Sequence, residues 1–177
     1  MLQLEIELRW LLDNKKYNNL HIFLQQNSDH YENDNKISYF FVLESNNILK
    51  VVYEENGSQF LVLKEWDETK NILYEHKLPI KDKGTEMVEI LKLIWFNKVN
   101  KVSQERINYY FHDTILSLKY TADRWYHFEI EYNGKIKNHD QIISHLQTVC
   151  KELNILPMSP IEIKNKIHEI NTNHNLL

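Results

Sequence analysis

Residues 2–10 alternate strictly between apolar and polar side chains. The apolar positions are Leu2, Leu4, Ile6, Leu8 and Trp10, and the polar positions between them are Gln3, Glu5, Glu7 and Arg9. A period of two places neighbouring side chains on opposite faces of an extended strand. The pattern therefore predicts a half-buried β-strand whose polar face carries two glutamates and one arginine.

The segments that follow are rich in β-branched and aromatic residues and are separated by turn sequences such as SNN and ENGS. Four of them are predicted strands: NSDHYENDNKISYFFVLE, NILKVVYEE, GSQFLVLKEW and NILYEHKL. Three more strands are predicted around residues 98–111, 113–120 and 125–133. Because short turns join neighbouring strands, we expect an antiparallel sheet, and about eight strands in so short a chain favour a closed or nearly closed barrel.

Apolar residues at helical spacing predict four helices around this sheet. They are expected over residues 15–26, from Thr85 as a cap to about Ile94, over 138–153, and over 160–170 after Pro157 and Pro160. The predicted fold class is α+β, an antiparallel eight-stranded β-barrel with flanking helices. We expect one domain over residues 1–177, with C-terminal helices over about 138–170 and a flexible tail over 171–177.

Charge and composition exclude several classes of function. The chain has 21 Lys and Arg residues against 25 Asp and Glu residues, a formal net charge of −4, and no basic run, so we expect no nucleic-acid partner. It lacks the roughly 18 consecutive apolar residues of a membrane span, so we expect a cytoplasmic protein without a membrane partner. Because the chain has three glycines, a glycine-rich phosphate loop is excluded, and any phosphate must be held by side chains.

The charged residues of the predicted strands form a joint pattern. Two Glu-x-Glu pairs stand far apart in the chain, Glu5 with Glu7 and Glu129 with Glu131. Between these pairs in the chain, single cations occur in predicted strands that are otherwise largely apolar: Lys50, Lys64, Arg106 and Lys119. Carboxylates and cations that face one barrel interior would suit Mg²⁺ or Mn²⁺ bound to a polyphosphate. The alternative is that each polar face meets water, as charged residues mostly do.

Several of these segments resemble the CYTH superfamily, the group of class IV adenylate cyclases and thiamine triphosphatases. Glu5-Ile6-Glu7-Leu8-Arg9 resembles its N-terminal Glu-x-Glu-x-Lys signature. The other similar segments follow in the family's order: Gln26 to Tyr31 (Gln-x-Asp-x-Tyr), Phe60 to Lys64 (Leu-Thr-Leu-Lys), Arg106 to Tyr109 (Arg-x-x-Tyr), Leu118-Lys119 (Leu-Asp), Phe128 to Glu131 (Phe-x-Glu-Ile-Glu) and Leu153 to Ile155 (Leu-Gly-Ile). The resemblance therefore covers nearly the whole chain.

The resemblance implies a triphosphate tunnel, a β-barrel whose interior binds a triphosphate and a divalent metal, Mg²⁺ or Mn²⁺. Matched position by position, it implies four metal-binding carboxylates: Glu5, Glu7, Glu129 and Glu131. It implies substrate-binding cations at Arg9, Lys50, Lys64 and Arg106, and Lys119 is a further candidate. Of these cations, the catalytic candidates are Arg9, Lys64 and Arg106.

The chain also departs from the family's pattern at four places. Arg9 stands for the signature Lys, and Gln104-Glu105 stand where a cation is expected before the Arg-x-x-Tyr motif. Lys119 stands where the Leu-Asp motif has a carboxylate, and Val52 stands where a second strand arginine is expected. An ammonium cannot replace a carboxylate that positions a metal or accepts a proton. It can instead hold phosphate, or pair with Glu129 or Glu131.

Three functional hypotheses follow. The first is a metal-dependent enzyme that acts on a nucleoside or organic triphosphate, either by hydrolysis or by cyclisation of ATP. The second is a degenerate tunnel that binds a nucleotide or polyphosphate without turnover, and the third is an interaction module whose charges form internal salt bridges. Hydrolysis and cyclisation use the same phosphate contacts, so the sequence leaves both open. A homodimer is compatible with aromatic residues on edge strands.

Overall fold

The computed structural model describes residues 2–43, 47–67, 72–96, 98–121, 125–135, 138–156, 158–159, 161–162, 165 and 168. Within these residues the strands are β1 (Leu2–Glu5), β2 (Glu7–Leu12), β3 (His30–Asn33), β4 (Lys36–Phe41), β5 (Ile48–Glu54), β6 (Gln59–Asp67), β7 (Ile72–Pro79), β8 (Val99–Phe111), β9 (Thr114–Thr121) and β10 (Trp125–Tyr132). The helices are α1 (Asn14–Asn27), α2 (Gly84–Ile94) and α3 (His139–Glu152). The predicted α+β class with antiparallel strands and flanking helices is confirmed.

Most elements agree with the sequence-based predictions, but the single strand predicted over NSDHYENDNKISYFFVLE is two strands, β3 and β4. The predicted first strand is interrupted at Ile6, which separates β1 from β2. Helix α2 begins at Gly84, and the residue before it, Lys83, makes no side-chain capping bond, so the prediction of a Thr85 cap is wrong. The predicted helix over 160–170 lies mostly, and the tail over 171–177 entirely, outside the described residues. Within the described part of the chain, no helix is long and apolar enough to span a membrane.

The described residues form two compact units, and the single domain over 1–177 stays a prediction. Unit one holds residues of the ranges 2–4, 35–104 and 161–168, and unit two holds those of the ranges 5–34 and 105–159.

Unit one contains an antiparallel sheet with α2 on one of its faces. Its strands lie in the order β1-β7-β6-β5-β4, and residues 99–104 of β8 pair with β4. One face of this sheet packs on α2, where Val88 and Leu91 stand one turn apart. The buried residues of this core are Phe41, Val51, Ile80, Val88, Leu91 and Val99. Because side chains alternate along a strand, the other face receives the residues of opposite parity.

Unit two is a second antiparallel sheet with two helices on one face. Residues 105–111 of β8 pair with β3 and with β9, and β10 and β2 follow. Asp13 caps α1 by accepting a hydrogen bond from the Lys16 amide at 2.7 Å, and Asn138 caps α3 in the same way. Both helices pack on the strands in one core, whose buried members include Trp10, Leu20, Leu24, Tyr109, Leu116, Leu118, Phe128, Ile130, Ile142, Leu146 and Val149. The polar residues of β2, β8, β9 and β10 are thereby left on the opposite face.

Candidate functional site

The charged residues predicted in unit two, apart from Glu5, lie on the sheet face opposite α1 and α3. Strand register puts Arg9 opposite Glu129, Glu129 opposite Ser117, and Ser117 opposite Asn108, in one row across four strands. Lys119 lies opposite Arg106 in the neighbouring row. Glu131 lies opposite Glu7. The unit-two cluster is defined as Glu7, Arg9, Asp34, Arg106, Asn108, Ser117, Lys119 and Glu129.

Glu129 joins two cations at the centre of this cluster. Its Oε1 lies 3.2 Å from Arg9 Nε, and its Oε2 forms an ion pair with Lys119 Nζ. Arg9 also forms an ion pair with Glu7. The side chain of Glu7 is 2% exposed and that of Glu129 is 14% exposed. These ion pairs are therefore largely removed from water. In such an environment, removal of either partner leaves the other charge buried without compensation.

Arg106 is held by a second set of contacts in the same cluster. Its Nε donates to Asn108 Oδ1 at 2.6 Å and lies 3.4 Å from Asp34 Oδ2. Asn108 Nδ2 donates to Asp34 at 3.1 Å, and Ser117 Oγ donates to Asn108 Oδ1 at 2.8 Å. The guanidinium is thus fixed by an amide and a carboxylate before any ligand arrives.

Three members of this cluster were not among the predicted site residues. Asn108 and Ser117 each stand two positions from a predicted cation on the same strand face, so strand parity could have identified them. Asp34 follows β3 directly and reaches Arg106 across the fold. Nothing in the local sequence around Asp34 indicates that contact.

Burial changes the ionisation of Lys119. The residue is 5% exposed, and its desolvation lowers the pKa of Lys119 to about 8, although Glu129 acts to raise it. Arg106 and Arg9 lower the pKa further, because a second positive charge nearby disfavours the ammonium. Burial therefore raises the free energy of the charged form of Lys119, and an anion bound beside the ammonium would lower it.

The predicted cations of unit one also lie opposite the helix of their unit. Lys64 Nζ lies 3.1 Å from Glu75 Oε2, and Lys64 is 5% exposed. Lys50 Nζ lies 5.6 Å from the centre of the Phe40 ring. Val52 follows Lys50 on the same face and is buried, which leaves an apolar side chain where the family resemblance expects an arginine.

Glu54 is the second acidic group on this face of unit one. Its Oε1 accepts from Lys36 Nζ and from Lys77 Nζ, each at 3.2 Å. Burial acts to raise the pKa of Glu54, but the two ammonium groups outweigh it, so its pKa is lowered from the ordinary value of 4.5. The unit-one cluster is defined as Lys36, Lys50, Glu54, Lys64, Glu75 and Lys77.

This lowered pKa predicts an acid-dependent loss of stability. Since the folded pKa of Glu54 lies below its unfolded value, the stabilisation is present above about pH 4.5 and is lost as the pH falls through the folded pKa. We expect Glu54→Gln to flatten the decline in unfolding free energy between about pH 7 and pH 3, measured by urea denaturation. Glu55→Gln, at the exposed neighbouring position, is the matched control. An unchanged pH profile in Glu54→Gln would contradict the role of this ion pair.

The described carboxylates of unit two do not fit the predicted metal ion as they are arranged. Glu7 and Glu129 each contact a cationic side chain and would have to leave it before binding Mg²⁺ or Mn²⁺. No group of three or more His, Cys, Asp or Glu side chains among the described residues could hold a metal ion. The side chain of Glu5 lies outside the described residues. The metal-binding role of these glutamates and of Glu131 stays a prediction.

Sequence comparisons identify no relative, whereas comparisons of the fold do. No family model matches this sequence, and no curated protein sequence matches it. A protein from Pyrococcus horikoshii OT3, PH1012, is similar with a TM-score of 0.72 at 20% identity, over 86% of this chain and 91% of that chain.

Two of the structures with a similar fold belong to proteins with triphosphatase activity. One is a candidate adenylyl cyclase from Hippeastrum with a dominant triphosphatase activity, at 16% identity and a TM-score of 0.59, over 94% of this chain and 96% of that chain. The other is the RNA triphosphatase domain of the mimivirus mRNA capping enzyme, at 10% identity and a TM-score of 0.56, over 85% and 89%. At these identities the similarity shows the fold alone, and this chain shares its fold with these proteins.

Proposed function

We propose that this protein binds the phosphate chain of a nucleoside triphosphate or another organic triphosphate and processes it by hydrolysis or by cyclisation. The observation that carries this proposal is the burial of two cations on the sheet faces opposite α2 in unit one and opposite α1 and α3 in unit two: Lys64 and Lys119 are both 5% exposed. A buried ammonium is costly, so its place in the interior favours a role in binding anions. The Hippeastrum and mimivirus proteins, which share the fold, support a triphosphate as the ligand.

The cations are suited to this chemistry by their geometry. The guanidinium of Arg106, oriented by Asn108 and Asp34, presents planar donors that match phosphate oxygens. Cations that contact a transferring phosphoryl group stabilise the charge of the transition state, whether water or a ribose hydroxyl attacks. Arg9, Lys64 and Arg106 remain the candidate catalytic residues, and Lys50 and Lys119 remain candidates for substrate binding.

A second candidate function, binding without turnover, is favoured by one contact. Lys119 stands where the family resemblance expects a carboxylate, and it neutralises Glu129. A site whose carboxylate is neutralised in this way retains cations for phosphate and loses a group that could accept a proton. The two candidates share the ligand and differ in whether product forms.

A thermal-shift panel with ATP, GTP, thiamine triphosphate and tripolyphosphate, each with and without Mn²⁺, tests the proposal. A true ligand at about 100 times its dissociation constant is expected to raise the melting temperature by about 5–10 °C, because it binds the folded state alone. Lys64→Ala in unit one and Arg106→Ala in unit two should each reduce this shift. Lys92→Ala, at an exposed position of α2, is the control that should retain it.

Samples that are stabilised are then assayed for released phosphate, pyrophosphate or cyclic nucleotide. Product formation that Arg106→Ala abolishes supports the enzyme, and stabilisation without product supports the binder. No shift with any of the four compounds, with or without Mn²⁺, would reject both candidates and favour the interaction module.

A further inference from the structure

Among the described residues, Lys119 has more N–H donors than hydrogen-bond acceptors around it. An ammonium carries three N–H donors and no acceptor. Within the described part of the chain, its one hydrogen-bond acceptor is Oε2 of Glu129. Since Lys119 is 5% exposed, bulk water does not readily supply the other two acceptors. A buried ammonium with unused donors is the arrangement expected where an anionic ligand supplies the missing acceptors.

The neighbours of Lys119 favour an oxyanion with several oxygens. Arg106 lies opposite Lys119 in the strand register, and Arg9 shares the carboxylate of Glu129 with it. Three cations thus stand in adjoining rows of one sheet face, and each of them contacts a carboxylate: Glu7, Asp34 and Glu129. A phosphate chain can contact all three cations, because its oxygens are spread along its length.

We propose that the Lys119 ammonium bridges Glu129 and a phosphate oxygen of the ligand. A divalent cation would otherwise make this bridge, so phosphate binding at the unit-two cluster needs no metal. The inference rests on the proposed function and deepens it. A divalent cation in such a site neutralises carboxylates and bridges them to phosphate. The Lys119 ammonium already neutralises Glu129, and its unused donors point to the same bridging role.

If Lys119 makes the bridge, removal of the Glu129 charge should change the phosphate affinity in the opposite direction to removal of a metal-binding carboxylate. Glu129 carries a negative charge beside the phosphate, so Glu129→Gln should tighten phosphate binding by removing this repulsion while Lys119 keeps its donors for the phosphate. If a metal ion joined Glu129 to the phosphate, the same substitution would weaken binding, because a metal ligand would be lost. The sign of the change therefore separates the two arrangements.

The test is titration calorimetry of the full chain with tripolyphosphate, once with EDTA and once with Mn²⁺. We expect the wild-type protein to bind with the same dissociation constant in both. Lys119→Met, which preserves length without charge, should weaken binding by about 10- to 100-fold, the loss of a hydrogen bond to a charged group. Glu129→Gln should strengthen it, and Glu89→Gln, at an exposed position of α2, should leave it unchanged.

Circular dichroism checks that each variant is folded. Should Lys119→Met not fold, the double variant Lys119→Met with Glu129→Leu removes the ion pair without leaving a buried charge, and it should also lose binding in EDTA. The inference is overturned if tripolyphosphate binds only with Mn²⁺, if removal of the Lys119 charge has no effect, or if Glu129→Gln weakens binding. Binding only with Mn²⁺ overturns the inference and leaves the proposed function intact. No binding with either EDTA or Mn²⁺ overturns the inference and the proposed function together.

Discussion

Replacing Glu129 with alanine is expected to lower the free energy of unfolding by about 3–5 kcal/mol, because buried Lys119 then has no partner charge. Lys119 is 5% exposed, and Glu129 is its ion-pair partner among the described residues. Arg9 would lose one of the carboxylates that it contacts in the same variant. Urea denaturation of the wild type and Glu129→Ala measures the difference.

Two further variants separate an unpaired charge from a general packing defect. In the double variant Lys119→Met with Glu129→Leu, no charge is left unpaired, so most of the lost stability should return. Glu89→Ala removes half of an exposed ion pair with Lys92, whose two side chains are 60% and 44% exposed, and it should cost at most about 0.5 kcal/mol. A double variant as unstable as Glu129→Ala would show that the ion pair is not the cause.

Replacing Phe128 with alanine is expected to cost about 3–5 kcal/mol, because it removes a fully buried ring from the core of unit two. Phe128 lies between Trp10 and Leu118 in the strand register, and the centroids of the Phe128 and Trp10 rings are 4.8 Å apart. The cavity left behind would be lined by side chains from strands that the helices hold in place, so little collapse is expected.

The control for this variant is Leu11→Ala, which removes a side chain that is 47% exposed on β2. It should change the unfolding free energy by less than about 1 kcal/mol. Thermal and urea unfolding of both variants measure the difference. A cost in Phe128→Ala no greater than that of Leu11→Ala would contradict the assignment of Phe128 to the core.

The strand faces were predictable because they depend on local alternation. Leu8 and Trp10 pack against the core of unit two, and Glu7 and Arg9 lie on the other face, as their parity predicts. The same rule places Lys50 and Lys64 opposite the core of unit one. Side chains on an extended chain must alternate whatever the rest of the fold does, so the sequence suffices for this point.

The start of α2 shows where local signals fail. Thr85 has the side chain of a capping residue, yet the helix begins one residue earlier. The amide of Gly84 donates to Gln59 Oε1 at 2.8 Å, so a side chain from β6 satisfies one of the amide donors that the first helical turn leaves open. A Cβ at residue 84 would lie 2.6 Å from the Tyr53 side chain, so any larger residue there would have to displace a side chain that is distant in the chain.

The ion pairs of the candidate site were also not predictable from local sequence signals. The sequence shows that Arg9, Lys119 and Glu129 lie on polar strand faces, but it does not show that Glu129 serves both cations. That follows from the register of β2 and β9 against β10, which is set by packing of the apolar faces. Asp34 reaches Arg106 although 72 positions separate them, and Asn108 completes the contact.

The sequence by itself determined the fold class, the strand faces and the identity of the cations that lie away from the helices, because these depend on side-chain period and residue type. The tertiary structure alone decided which carboxylate each cation contacts and how deeply Lys64 and Lys119 are buried. The physical reason is that ion pairs and burial depend on distances between segments far apart in the chain, and those distances exist once the strands have paired.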